Sequence, residues 1–309
     1  MEDLANKMLV RHVSLGVGKV IAVEPNAAHV FFAESDNRFA TKLRLPAARA
    51  LLRTEGVERN AWLEGLSDFS FDEKAGRYGL AATWLTHDQA VAQFLAAFPQ
   101  GFSDPKHTGA GVARAARAPQ WRAAHDEWDK ALGGGEGERL LAADDLRELV
   151  RRALRVAQHV SSLEPVAEKD GLKEALADGD AARAFFAAVF ELLGERVPGR
   201  AGFEKLFAAS EHLPVPPASR WPMATLFPFV AEPARHVFLQ AKPTCAAAAR
   251  LGCDLRFDEK PNWATYAALR KLSARLLEDL AASGARDFVD VESFLYVTAK
   301  RASRPRSMP

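Results

Sequence analysis

The stretch Arg11–Leu45, RHVSLGVGKVIAVEPNAAHVFFAESDNRFATKLRL, contains three short β-rich runs separated by polar turns, and its reading decides the fold of the N-terminal part. Val17–Val23 is the first run, and Glu24-Pro25-Asn26 closes it with turn chemistry: Pro sets φ and Asn tolerates a left-handed backbone. The second run, His29–Ala33, stops at the polar turn Glu34-Ser35-Asp36-Asn37. The third, Arg38–Leu45, alternates with period two, so Phe39, Thr41, Leu43 and Leu45 share one face and Arg38, Lys42 and Arg44 the other. Three such strands bury little by themselves and are expected to close into a small SH3-like or Tudor-like barrel. Gly16 and Gly18 suit a barrel corner, where positive φ and close backbone approach are needed. A dinucleotide-binding GxGxxG is excluded, because Ile21 occupies the third glycine position and a strand follows.

Arg11-His12-x-x-Leu15-Gly16-x-Gly18-x-Val20, the turn after it, Val30-x-Phe32 and the basic strand through Leu45 resemble the small Tudor-like module at the C-terminal end of UvrD/PcrA-type helicases. They are similar also to the RNA-polymerase-interacting module of CarD-type regulators. The resemblance implies docking onto RNA polymerase or a nucleic-acid complex rather than catalysis, and it covers about a tenth of the chain.

Beyond Leu45, Pro46 is placed to open a helix over AARALLRTEG that Gly56 ends. The run LSDFSFDEKAGRYGLAATWL reads as a further hairpin, turning at Asp72–Gly76. Thr86-x-x-Gln89 has the spacing of a capping box, so a helix is expected to start there and to stop at Pro99. Helical patterns follow over Trp121–Leu132, Leu140–Val160, Gly171–Leu176, Ala181–Leu193 and Phe203–Ala209, with the glycines Gly133–Gly137 as a connector. Pro214–Pro243 is rich in proline and aromatics, and extended buried backbone is expected rather than one helix. Pro243 opens an Ala-rich helix through Leu251, Pro261-Asn262 opens a long one over about Trp263–Ala282, and Asp290 is the expected N-cap of a last one. The blocks around Phe98–Pro105, Thr225–Phe229, Pro261–Tyr266 and Asp287–Phe294 resemble a domain of uncharacterised bacterial proteins, a likeness that implies no activity. The fold class expected is α+β, with a small N-terminal SH3/Tudor-like β-barrel followed by a larger, mainly α-helical domain. The expected divisions are a barrel over 1–58, a connecting hairpin region over 59–85, a helical domain over 86–299 and a basic tail over 300–309.

Composition narrows the function. The apolar share of 48% fills a globular core, and 41 Lys and Arg against 40 Asp and Glu leave no overall field for nucleic acid or an anionic membrane. Cys245 and Cys253 lie too far apart for a CxxC pair and read as reduced thiols. No apolar run reaches the roughly 18 residues of a spanning helix, and the acidic start Glu2-Asp3 lacks the basic flank of a leader. A cytoplasmic location without membrane contact is expected.

No two of the eight histidines share an HxH, HxxH or HExxH spacing, so neither a metal nor another cofactor is expected. Ser14, Ser210 and Cys245 lack the setting of a nucleophile. Phe-Asp-Glu-Lys occurs twice, and Asp72-x-Lys74 and Asp258-x-Lys260 have the spacing of a metal carboxylate beside an ammonium, but their flanks read as turns. Arg147, Arg151 and Arg155 form a stripe that Asp144, Asp145 and Glu148 dilute, which reads as a solvated helix face.

The candidate binding residues are Arg11, Lys19, Arg38, Lys42 and Arg44. With Glu24, Glu34 and Asp36 in the same stretch, five basic residues against three acidic ones suit weak phosphate contact or an acidic protein surface. The function read from the sequence is that of a non-enzymatic accessory binding protein in DNA or RNA transactions. Its barrel docks onto RNA polymerase, a repair complex or nucleic acid. The alternatives are a nuclease or other enzyme of a DNA-processing or defence system, and a scaffold whose barrel binds only its own helical domain.

Overall fold

In a computed structural model the described residues are 4–33, 39–66, 69–73, 75–80, 85–109, 117–160 and 169–299. They form an α+β protein with seven strands and thirteen α-helices among the described residues. Two compact units divide it: Met1–Ala97 with Ala246–Asp254 and Thr298–Pro309, and Phe98–Cys245 with Leu255–Val297. No helix among the described residues is long and apolar enough to cross a membrane.

The first unit is built on a curled antiparallel sheet of β1 (Leu9–His12), β2 (Gly16–Glu24), β3 (Ala27–Phe32), β4 (Thr41–Arg44) and β5 (Leu52–Arg53), in the order β4-β3-β2-β1-β5. The three runs of the Arg11–Leu45 stretch are β2, β3 and β4, and the turn between the first two falls at Pro25-Asn26 as its chemistry requires. Val10, Val20, Ala28, Val30, Phe32 and Leu52 share one sheet face and form a closed core with Leu43 and Leu45, so the two outer strands curl toward the same cluster. Gly16 has φ 73°, and a Cβ on Gly18 would lie 2.6 Å from both Phe32 Cδ1 and Val30 Cγ1. The glycine pair thus permits one left-handed turn and one close approach.

The opposite sheet face is also covered. Phe31, Leu63, Leu66 and Leu80 form a second core, with Phe69 and Tyr78 packed on it from the hairpin β6 (Phe69–Asp72) and β7 (Arg77–Leu80). This is the hairpin expected from LSDFSFDEKAGRYGL, and Asp72 Oδ1 accepts from Ala75 N across its turn at 3.0 Å. The helix expected after Pro46 is not formed: Ala47–Leu51 make one 3-10 segment and the chain then becomes β5. Leu52 and Arg53 pair with His12 and Arg11, and that non-local pairing overrides the helix-favouring composition of AARALL.

Thr86 and Gln89 form the expected capping box in both directions, Thr86 N to Gln89 Oε1 at 3.0 Å and Gln89 N to Thr86 Oγ1 at 3.2 Å, and the helix His87–Ala97 follows. In the second unit Leu140–Val160 is two helices, Glu136–Ala142 and Leu146–Ala157, separated at Asp144 (φ 60°) and restarted by Asp145 as N-cap. Asn262 caps Trp263–Asp279 by accepting from Thr265 N at 2.9 Å. The last helix, Phe288–Ala299, begins before Asp290: Asp287 Oδ1 accepts from Val289 N at 2.9 Å, and the Asp290 carboxylate reaches back to Arg286 N.

Pro214–Pro243 departs most from its reading. Arg220–Ala231 is helical, and Trp221 to Ala231 are all buried. Pro222 falls in the first turn, where its missing N–H has no partner to lose. Pro228 lies inside the helix and costs about 3 kcal/mol. Leu226, Phe227, Phe229 and Val230 are each at most 2% exposed, and at roughly 1.5–3 kcal/mol apiece their burial outweighs that cost. Around this helix Trp121 meets Phe229 edge-on at 4.9 Å and Phe186 meets Phe227 at 5.5 Å, giving the second unit an aromatic centre.

Candidate docking surface

Strand pairing puts the cations of the curled sheet on one sheet face. Arg11 stands opposite Val17 and Arg53, Lys19 opposite Leu9 and Phe31, Lys42 opposite His29, and Arg44 opposite Ala27. Arg38 lies outside the described residues. Arg11, Lys42 and Arg44 are exposed, but they do not form one cluster: β1 and β4 are three strand spacings apart, about 14 Å at ~4.8 Å each.

Lys19 is different in kind. Only 6% exposed, its ammonium donates to Glu64 O at 2.9 Å and Leu66 O at 2.6 Å, fastening the segment before β6 to the sheet. It also borders a pocket of about 290 Å³ whose walls include Ile21, Phe69 and Tyr78.

At the β4 corner, Lys42 Nζ lies 3.1 Å from Glu24 Oε2, and His29 Nε2 lies 2.9 Å from Glu24 Oε1. The Lys42 ammonium and then the His29 ring hold the Glu24 carboxyl below the usual carboxylate range. His29 is fully buried and meets Tyr78 edge-on at 4.9 Å. Arg44 has no ion-pair partner among the described residues.

At the β1 corner, Arg11 pairs with Glu58 at 3.3 Å, and the exposed Arg53 faces Arg11 across the β1–β5 ladder. Arg53 escapes a reading that puts 47–56 in a helix, since only the strand pairing brings it beside Arg11. The β1–β2 turn at this corner is held by His12, whose Nδ1 accepts from Ser14 N at 3.2 Å and Leu15 N at 3.3 Å. That geometry assigns the ring proton to Nε2.

In the second unit several of the charged groups are spent on neighbours. Arg151 and Arg152 bind Glu148, Arg152 also reaches Glu136, and Arg155 binds Glu127, so the arginine stripe is largely neutralised. Arg122 holds Asp287 at 2.8 Å and Asp290 at 2.9 Å. Arg117 pairs with Glu292, which also accepts from Trp121 Nε1 at 3.0 Å; burial pushes the Glu292 carboxyl up against the pull of both. His236 Nδ1 lies 2.9 Å from the Tyr266 hydroxyl, and burial pulls the His236 imidazole down to about 3.

Of the two Phe-Asp-Glu-Lys copies, Asp72 caps its hairpin turn, Asp258 Oδ1 accepts from Lys260 N at 2.8 Å, and Lys260 pairs with Glu211 at 2.7 Å. Lys74 lies outside the described residues. Among the described residues no group of three or more His, Cys, Asp or Glu is placed to hold a metal ion. Cys245 and Cys253 are not joined in a disulfide, and burial pushes the Cys245 thiol up to about 11.

Compared with known proteins, the chain matches no family model, no curated protein and no solved structure.

Proposed function

We propose that the protein is a non-enzymatic accessory factor of DNA or RNA transactions that docks through an SH3/Tudor-like N-terminal barrel onto RNA polymerase, a repair complex or nucleic acid. The strand order β4-β3-β2-β1-β5, with a single 3-10 segment leading into β5, supports the barrel identity. The resemblance carried by Arg11–Val20 supports the partner class.

One observation carries the docking reading. Both faces of the curled sheet are occupied by core clusters, so the barrel offers its rim and turns, where Arg11, Arg53, Lys42 and Arg44 are exposed. A rim of cations and turn residues is suited to gripping a macromolecule.

The test is affinity capture with the full chain from a bacterial lysate. Recovery of polymerase or repair subunits by the wild type, lost on reversing Arg11 and Arg53 or Lys42 and Arg44 to Glu, is the expected result. Recovery of neither class, together with no retention on DNA at low salt, would remove the proposal.

A further inference from the structure

Resting on that docking reading, we infer that the binding site is the outward strip of the β1–β5 ladder and its adjoining turn, and that its occupant is an acidic protein segment bearing apolar side chains. Arg11 faces Arg53, His12 faces Leu52, and Val13 N donates to Leu51 O at 3.2 Å, so the same antiparallel register continues by one more pair. Alternation turns His12 and Leu52 into the core and sends two pairs outward: Arg11 with Arg53, then Val13 with Leu51. The outward face is a strip of two cations followed by two hydrophobes.

The hydrophobes are unusually open. Val13 is 67% exposed, Leu51 43% and Leu15, in the same turn, 38%. Three of the eight large exposed hydrophobes among the described residues therefore gather at one corner, whereas exposure by chance would scatter them. The turn that displays them is preorganised: His12 Nδ1 holds Ser14 N and Leu15 N, and the His12 ring is anchored edge-on against Phe32 at 5.8 Å. A docking loop already held in shape loses little entropy on binding.

The charges select the occupant. Two guanidinium groups directly across a strand pair repel each other; Glu58 offsets Arg11, and Arg53 has no ion-pair partner among the described residues. A carboxylate laid between them relieves that repulsion. A second copy of this chain would bring the same cations together, and a nucleic-acid backbone would leave Val13, Leu15 and Leu51 without an apolar partner. The spacing between the two outward pairs, about 7 Å along the strand, matches an apolar and an acidic residue two apart on an extended segment or four apart on a helix.

The experiment selects a randomised peptide library on the immobilised full chain and measures the enriched peptides by fluorescence anisotropy. Enrichment of Asp or Glu beside Leu, Ile or Phe is expected, with binding weakened about tenfold or more by Arg53→Glu and by Val13→Ser. His12→Leu, which removes the turn acceptor, should weaken it as well, and His12→Asn should restore part of it. Circular dichroism on each variant separates lost binding from lost folding, and the change Val13→Lys, at an exposed site, provides a second, fold-neutral probe.

No enrichment, enrichment of basic peptides, or binding indifferent to Arg53→Glu and Val13→Lys would overturn the inference. So would a short DNA duplex that binds more tightly and depends on the same residues. Capture of polymerase that survives Arg53→Glu and Val13→Lys removes this site and leaves the broader docking proposal. Peptide binding at this strip without any such capture removes the partner class and leaves the site.

Discussion

The Arg117 guanidinium meets the Glu292 carboxylate at 3.2 Å, Nη2 to Oε1, with side-chain exposures of only 4% and 12%. Arg117 also lies over the Tyr296 ring at 4.6 Å and donates to Gln240 Oε1 at 3.2 Å, so the pair joins the start of the Ala118–Ala131 helix to the last helix of the second unit. Removing one member of such a pair leaves a buried charge without its counterion. Glu292→Gln is expected to destabilise the protein by about 3–5 kcal/mol, and the double change Arg117→Met with Glu292→Leu by less. Urea unfolding followed by tryptophan fluorescence checks this, and equal losses for the single and double variants would contradict it.

Lys19→Met tests the difference between a buried tether and a surface cation. The change strips donors from Glu64 O and Leu66 O and should cost about 1–3 kcal/mol. Partner or DNA affinity, measured where the variant is still folded, should stay within error of the wild type. A variant of unchanged stability and weakened affinity would return Lys19 to the binding surface.

Gly18→Ala places a methyl 2.6 Å from Phe32 and Val30 inside the core of the curled sheet. The expected cost is about 1–3 kcal/mol, read as a lowered midpoint of thermal unfolding. Gly16 has a different reason for being glycine, its positive φ, so Gly16→Ala should also destabilise, through backbone strain.

The helix pair Glu136–Ala142 and Leu146–Ala157 should keep its ion pairs in moderately acidic solution. Arg139, and then Arg152, hold the Glu136 carboxyl at about 2, and Arg151 with Arg152 hold Glu148 there too, against 4.5 for the free group. With folded values lowered, their contribution is present above 4.5 and is lost as pH falls through about 2. Carboxyl carbon NMR shifts should show both groups titrating near that lower value, and midpoints close to 4.5 would refute the pairing.

His236 gives the opposite group type and the same direction in pH. Burial keeps its ring neutral down to about 3, whereas the unfolded chain binds a proton near 6.5. The unfolded state therefore holds more protons between those values, and stability should decline as pH falls from 6.5 toward 3. Imidazole NMR should find His236 still neutral at about pH 5, where a solvent histidine is mostly charged.

Much of the local structure was legible in the residues. β-rich composition with the Pro25-Asn26 turn locates β2 and β3, period-two alternation locates β4, and Asp72–Gly76 locates the second hairpin. Thr86 with Gln89 forms the capping box its spacing predicts, and the long helix opens directly after Pro261-Asn262 as its residues indicate. The misreadings fall where distant contacts outvote local preference. Ala47–Leu51 would continue as a helix on composition, yet β1 draws Leu52 and Arg53 into the sheet. Arg220–Ala231 should be broken by proline, yet eleven consecutive buried residues from Trp221 hold it helical.

The sequence by itself determined where the first strands turn, where the capped helices begin and which cations the N-terminal stretch carries. Each of these depends on groups within a few residues of one another, through turn chemistry, side-chain caps and periodicity. Only the tertiary structure decided what those cations do. Lys19 is drawn inward because two carbonyls more than forty residues away need its protons, and Arg11 gains Arg53, as Val13 gains Leu51, because β5 closes on β1. Pairings across such separations depend on burial and backbone hydrogen bonding throughout the sheet, and no local pattern in the chain encodes them.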